Sequence, residues 1–301
     1  MSKSFYSGRK LCFSKKKQGD KIWQVDFIPR QIGTKAISFD KKRILFLFRD
    51  YPIKFTPEQK ELFDKENPYW AKFFKSKNLQ FATAQKISVF KSRQTLEACL
   101  KYAKDNYYPN DPMSCLYRRI ISYKLKDKFS DEFLGLLYVA LRAWNMDSKL
   151  EKLKPFPIFV ESIKKHQADF EKMRRYKIEN FDEVDPGEYE VGEIFEDLFY
   201  DLELVDSKTP IVMISKVLHL MLPDLIVPID REFTMQFFYG KKNKCSSIMK
   251  EPFRIFWELE TIFSEFVKRN DVSHYIDNVW NLNIPKILDN AIIGNVLQDA
   301  K

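Results

Sequence analysis

Apolar residues recur at helical spacing through most of the chain, and the clearest stretch begins at Ser130. There Phe133, Leu137, Leu141 and Trp144 fall on one face, behind a serine suited to N-capping and Asp131 and Glu132 in the first turn. The same spacing predicts helices over 156–170, 191–204, 211–221, 231–239, 251–268 and 285–297, with a Pro155-Phe156-Pro157 corner before the first of these. Upstream of residue 130 the pattern is mixed. Trp23, Val25 and Phe27 alternate with Gln24 and Asp26, Ile37 and Phe39 precede a short apolar run from Ile44 to Phe48, and both stretches read as strands. Residues before Gly19 show scattered basic positions and little apolar period, which predicts a loose arm. Thr56-Pro57-Glu58-Gln59 is a helix start, and further helices are expected over 69–77 and 92–104, before a proline-bounded break at 107–112. The expected fold is therefore mostly α: a small basic α/β lobe, residues 1–129, followed by an all-helical lobe, residues 130–301.

Composition sharpens this picture at two points. Only 8 glycines in 301 residues argue against glycine-rich phosphate loops, Rossmann domains and propellers. The four cysteines, Cys12, Cys99, Cys115 and Cys245, match no metal or redox spacing, so no metal and no cofactor are expected and the thiols fit a reducing, cytoplasmic setting. No apolar run approaches the length of a membrane span, and no membrane partner is expected.

Charge then separates the two parts. Residues 1–130 carry 29 Lys+Arg against 12 Asp+Glu, a net +17, whereas residues 131–301 carry 22 against 30, a net −8. A basic lobe of this kind predicts a polyanionic partner, and composition does not choose between RNA, DNA and an acidic protein; the preference for DNA over RNA comes from the resemblance described below. Lys15, Lys16, Lys17, Lys41, Lys42 and Arg43, interleaved with Phe13, Trp23 and Phe39, are the candidate nucleic-acid contacts. Between Glu179 and Asp206 stand twelve acids and no base, a solvated face or a surface for a basic protein partner.

The segment richest in candidate chemistry is Ser215-Lys216-Val217-Leu218-His219, followed by Val227-Pro228-Ile229-Asp230-Arg231. A lysine in an early helical turn followed by an aspartate at the next helix start resembles the helix-hairpin-helix DNA glycosylases. The resemblance implies that Lys216 attacks the sugar and that Asp230 assists loss of the base. Read from the residues alone, Asp230 is a helix cap, Lys216 an ion-pair partner of Asp230 or Asp224, and His219 a partly buried, satisfied histidine. Trp144-Asn145-Met146-Asp147-Ser148, taken with the 215–231 segment, is also similar to a set of uncharacterised prokaryotic helical proteins. Trp144, Ser148, His219 and Arg231 are the candidate lining of a cleft. Two functions follow: a nucleic-acid-binding protein of DNA-repair or DNA-processing type, or a non-catalytic helical interaction module. Catalysis itself is left open by the residues.

Overall fold

Strand and helix assignments rest on a computed structural model that describes residues 10–14, 23–28, 37–39, 57, 61, 86–111, 114–144, 152–181, 191–206, 211–240, 252–277 and 279–300. The chain divides into two compact units, Met1–Phe81 and Ala82–Lys301.

In the first unit, β1 (Lys10–Ser14), β2 (Trp23–Ile28) and β3 (Ile37–Phe39) form an antiparallel sheet in sequence order. The register sets Leu11 opposite Phe27 and Phe13 opposite Val25. This corrects the expected loose arm, part of which is a strand: five residues suffice when a neighbour supplies the ladder bonds, even where the apolar period is too short to read alone. The second expected strand, 44–48, and the helix over 69–77 lie outside the described residues, while Pro57 and Glu61 are helical.

The second unit is helical. A 3-10 turn, Lys86–Lys91, leads into α1 (Arg93–Asn106), which Ser92 caps through a bond accepted from Thr95 N. A short 3-10 turn over Tyr108–Asn110 occupies the proline break, and α2 (Ser114–Ser122) follows. Next come α3 (Asp131–Ala143), capped by Ser130 as its sequence predicts, β4 (Lys152–Leu153), α4 (Phe156–Lys165) and α5 (Gln167–Met173). The single helix expected over 156–170 is thus two, broken at His166, whose backbone leaves helical geometry to cap α4. The remaining elements are α6 (Val191–Asp201), β5 (Val205–Asp206), α7 (Ile211–Met221), α8 (Thr234–Tyr239), α9 (Pro252–Val267) and α10 (Ile284–Asp299). β4 and β5 pair antiparallel, a two-residue ladder inside the otherwise helical unit.

Two helices form the centre of this unit. Every residue of α7 is buried except Lys216, and α10 is buried without interruption from Pro285 to Gly294. A helix enclosed on all sides has no polar face to spare, so its polar residues must find partners inside the protein. α10 lies against α1 at a crossing that only glycine permits: a Cβ at Gly294 would stand 1.9 Å from the carbonyl oxygen of Cys99. A second apolar cluster joins α6 and α9 through Phe181, Phe195, Phe199, Phe253 and Trp257, with Phe181 and Trp257 centroids 4.6 Å apart.

The division at residue 81 corrects the boundary expected at 129/130. The long-range packing of α1 against α10, and of the 86–91 turn against α1, places residues 86–129 in the helical unit. The expected boundary followed a change of charge sign, and charge describes surface composition rather than which helices share a core. With the break at residue 81, the first unit carries 19 Lys+Arg against 8 Asp+Glu and the second 32 against 34. The helical unit is therefore close to neutral overall, with basic and acidic segments of its own.

Candidate functional site

The link Ile226–Ile229 between α7 and α8 is extended and buried, so its backbone groups need partners away from water. Side chains supply them. Ser215 Oγ accepts a bond from Ile229 N at 3.1 Å and lies within bonding distance of Ile229 O at 3.2 Å and Val212 O at 3.1 Å. One turn later on the same face, His219 Nδ1 donates to Ile226 O at 2.6 Å. From α9, Glu260 Oε2 accepts from Val227 N at 3.1 Å. Serine and histidine at this spacing therefore clip a strand-like segment onto the helix.

These partners also fix the chemistry of His219. With Nδ1 donating to a carbonyl, Nε2 is the acceptor of the Tyr117 hydroxyl, 2.6 Å away, and that hydroxyl in turn accepts from Asn283 Nδ2 at 3.3 Å. The two rings stack almost parallel at 5.6 Å. Complete burial pushes the imidazole pKa down to about 3, against a smaller upward contribution from the bond to Ile226. His219 is neutral, satisfied and inaccessible, which corrects both its placement in a cleft and its expected partial burial. Glu260 is also buried: burial raises its pKa well above the carboxylate range, the bond from Val227 only partly opposes this, and its second oxygen, Oε1, has no hydrogen-bond partner.

Lys216, between Ser215 and His219, points to another face. Its Nζ lies 4.8 Å from the centre of the Trp144 ring, so an aromatic face, rather than the expected ion pair with Asp230 or Asp224, receives the ammonium. Burial lowers its pKa, with the fields of Asp230, Asp289 and Asp111 opposing that and Lys286 reinforcing it. Asp230 does cap: its Oδ1 accepts from Phe233 N at 2.6 Å and Thr234 N at 3.3 Å, holding the turn that enters α8. Lys216, Asp230, Trp144 and Arg231 are all half-buried. Ser148 lies outside the described residues, as do Lys15, Lys16, Lys17, Lys41, Lys42 and Arg43.

Sequence reasoning missed the other half of this cluster, which comes from the first turns of α10. Lys286 Nζ and Asp289 Oδ2 form an ion pair of 2.6 Å whose side chains are 6% and 7% exposed. The Lys286 ammonium also lies 5.5 Å from the Tyr117 ring centre and 5.9 Å from that of Trp280. Burial raises the pKa of Asp289 most, Asp230 raises it further, and Lys286 and Lys216 hold it down. A Lys-x-x-Asp spacing at a helix start was visible in the sequence, but it is usual on solvated helices and carries no mark of burial.

Among the described residues no group of three His, Cys, Asp or Glu is arranged to hold a metal ion. None of their helices is long and apolar enough to cross a membrane. Residues 13–78 match a family described as "Family of unknown function (DUF7675)". That match lies wholly within the first compact unit, an independent sign that the chain divides near residue 81. No curated protein and no solved structure matches the chain.

Proposed function

We propose that this chain is a cytoplasmic nucleic-acid-binding protein of DNA-processing type, with Lys216 and Asp230 as the reacting pair. The observation that carries the reading is the position of Lys216: the one incompletely buried residue of α7, its ammonium on the Trp144 ring and within the field of Asp230. Burial that lowers an amine's pKa enlarges its nucleophilic fraction at neutral pH. As the free amine, Lys216 attacks the sugar carbon while the bond from that carbon to the base breaks. The base leaves with the electron pair and takes a proton from water, and the surplus proton on nitrogen passes to a nearby carboxylate. The sugar ring then opens: the bond from the same carbon to the ring oxygen breaks, that oxygen takes the proton back from the carboxylate, and the nitrogen lone pair completes a protonated imine. Asp230 would offset positive charge developing on the sugar with the carboxylate oxygen that does not cap the turn.

The test is incubation of the full chain with a panel of damaged duplexes in the presence of borohydride, which reduces an imine between lysine and sugar to a stable adduct. A trapped adduct that disappears in Lys216→Gln supports the mechanism. Base release without an adduct leaves Asp230 alone in the chemistry, and neither product across the panel removes catalysis from the reading.

A further inference from the structure

At the C-terminal end of α7, the turn 121–128, the segment 174–176 and the turn 222–225 surround a pocket of about 210 Å³. Its walls include two phenol rings, Tyr123 and Tyr176, with Leu222 and Leu225 beside them. Deep in it is Lys128, 2% exposed, whose Nζ donates to the terminal helix carbonyls of Leu220 at 2.6 Å and Met221 at 3.1 Å. An ammonium has three donors, and these bonds use two of them. Tyr123 is held in place by the bond from its hydroxyl to Glu132 at 2.9 Å and by edge packing on Phe133.

The chain segments that supply the pocket lining are rich in bases. Arg118, Arg119, Lys124 and Lys126 precede Lys128 in sequence, and Lys172, Arg175 and Lys177 flank Arg174, all exposed, with the acids Asp127, Glu132 and Glu171 among them. Of these bases Arg174 lines the pocket itself, together with Asp224. Aromatic walls below a lysine- and arginine-rich rim match the two chemistries of a nucleic acid, a flat base and a phosphate chain.

We infer that this pocket receives one base of a single-stranded or locally opened nucleic acid, whose phosphates run over Lys124, Lys126 and Arg174. The inference rests on the nucleic-acid reading above and adds to it a surface distinct from Lys216. A purine or pyrimidine fits the volume, the half-buried ring of Tyr123 offers a stacking face, and the spare donor of Lys128 meets a carbonyl or ring nitrogen on the base edge.

The experiment uses the full chain and a fluorescent single-stranded DNA of about 20 nucleotides, titrated across a salt series beginning near 50 mM. The double variant Lys126→Gln/Arg174→Gln, at two exposed positions that leave the fold intact, is expected to bind about tenfold or more weakly, with its log–log salt slope shallower by about two. In an oligonucleotide carrying 2-aminopurine, binding is expected to quench the probe. Tyr123→Leu should lose the quenching, and Tyr123→Phe, which keeps the ring, should retain it. Wild-type binding that is indifferent to all these variants overturns the pocket and leaves the nucleic-acid reading standing, whereas no binding by the wild type overturns both. Equal affinity for polyglutamate, with the same loss in the double variant, assigns the rim to an acidic protein segment and also overturns the inference.

Discussion

Two sets of contacts along α7 satisfy their surroundings by opposite means. From the middle of the helix to its last turn, Ser215 and His219 hold the 226–229 link with neutral hydrogen bonds, and both ring nitrogens of His219 have a partner. At the C-terminal end the carbonyls of Leu220 and Met221 are met by a charge, the Lys128 ammonium, which complements the negative end of the helix dipole. The neutral contacts are fully buried, while the charged end borders a pocket. A buried histidine is readily kept uncharged, as its ordinary pKa lies near neutrality. A buried lysine starts from 10.5, and burial brings Lys128 down only to about 8 with Asp224 opposing, so it keeps most of its charge at neutral pH. That remaining charge is what the ligand proposed above would meet.

The largest effect should come from breaking the neutral contacts. His219→Leu removes the partner of the Ile226 carbonyl and of the Tyr117 hydroxyl in a dry site, and should cost about 3–4 kcal/mol of unfolding free energy in urea denaturation. A loss below about 1 kcal/mol would mean that the link is held by packing alone.

Next in size is the acid response of the same residue. The folded pKa of about 3 lies below the ordinary 6.5, so the unfolded chain binds the proton more readily in this window. The contribution of His219 is complete above pH 6.5 and declines by about 1.4 kcal/mol per pH unit as pH falls toward 3. Unfolding measured between pH 7 and 4 should show this slope, and the His219→Leu variant should lack it.

Lys128→Met tests the charged end and should cost less, about 1–2 kcal/mol near neutral pH, because two carbonyls lose a donor while a buried charge is also removed. Its sign with pH is the same as that of His219, in a window at higher pH. The folded pKa of about 8 lies below the unfolded 10.5, so wild-type stability should rise between those values while the variant stays flat. Thermal melts at pH 7.5 and pH 10 decide it, and the gap between the proteins should widen at the higher pH.

The smallest stability effect should follow Asp230→Asn. An amide oxygen still accepts from Phe233 N and Thr234 N, so a change within about 0.5 kcal/mol is expected. Any base release should nevertheless be lost, because an amide carries no charge with which to stabilise the reacting sugar. Full activity in this variant would reduce Asp230 to a cap.

What local pattern could show, it showed well. The helical spacing of Phe133, Leu137 and Leu141, the cap at Ser130, and the nearly unbroken apolar run 211–221 are contained in short stretches of chain, and those stretches became α3 and α7. The capping role of Asp230 was legible for the same reason, as a cap bonds to the next few backbone amides. The segment 215–231 also announced itself as a unit, although its serine and histidine proved to be clips for the following link. Tertiary structure alone decided the rest. Only packing could show that Lys216 faces Trp144, seventy-two positions away, or that Lys286 and Asp289 reach the same cluster from the end of the chain. It also moved the domain division to residue 81, because α1 shares a core with α10 nearly two hundred residues later. The physical reason is one of range. Helix propensity, capping and period act within a turn or two of backbone, whereas burial, and with it the charge state of a lysine, histidine or carboxylate, depends on residues that only the folded chain brings together.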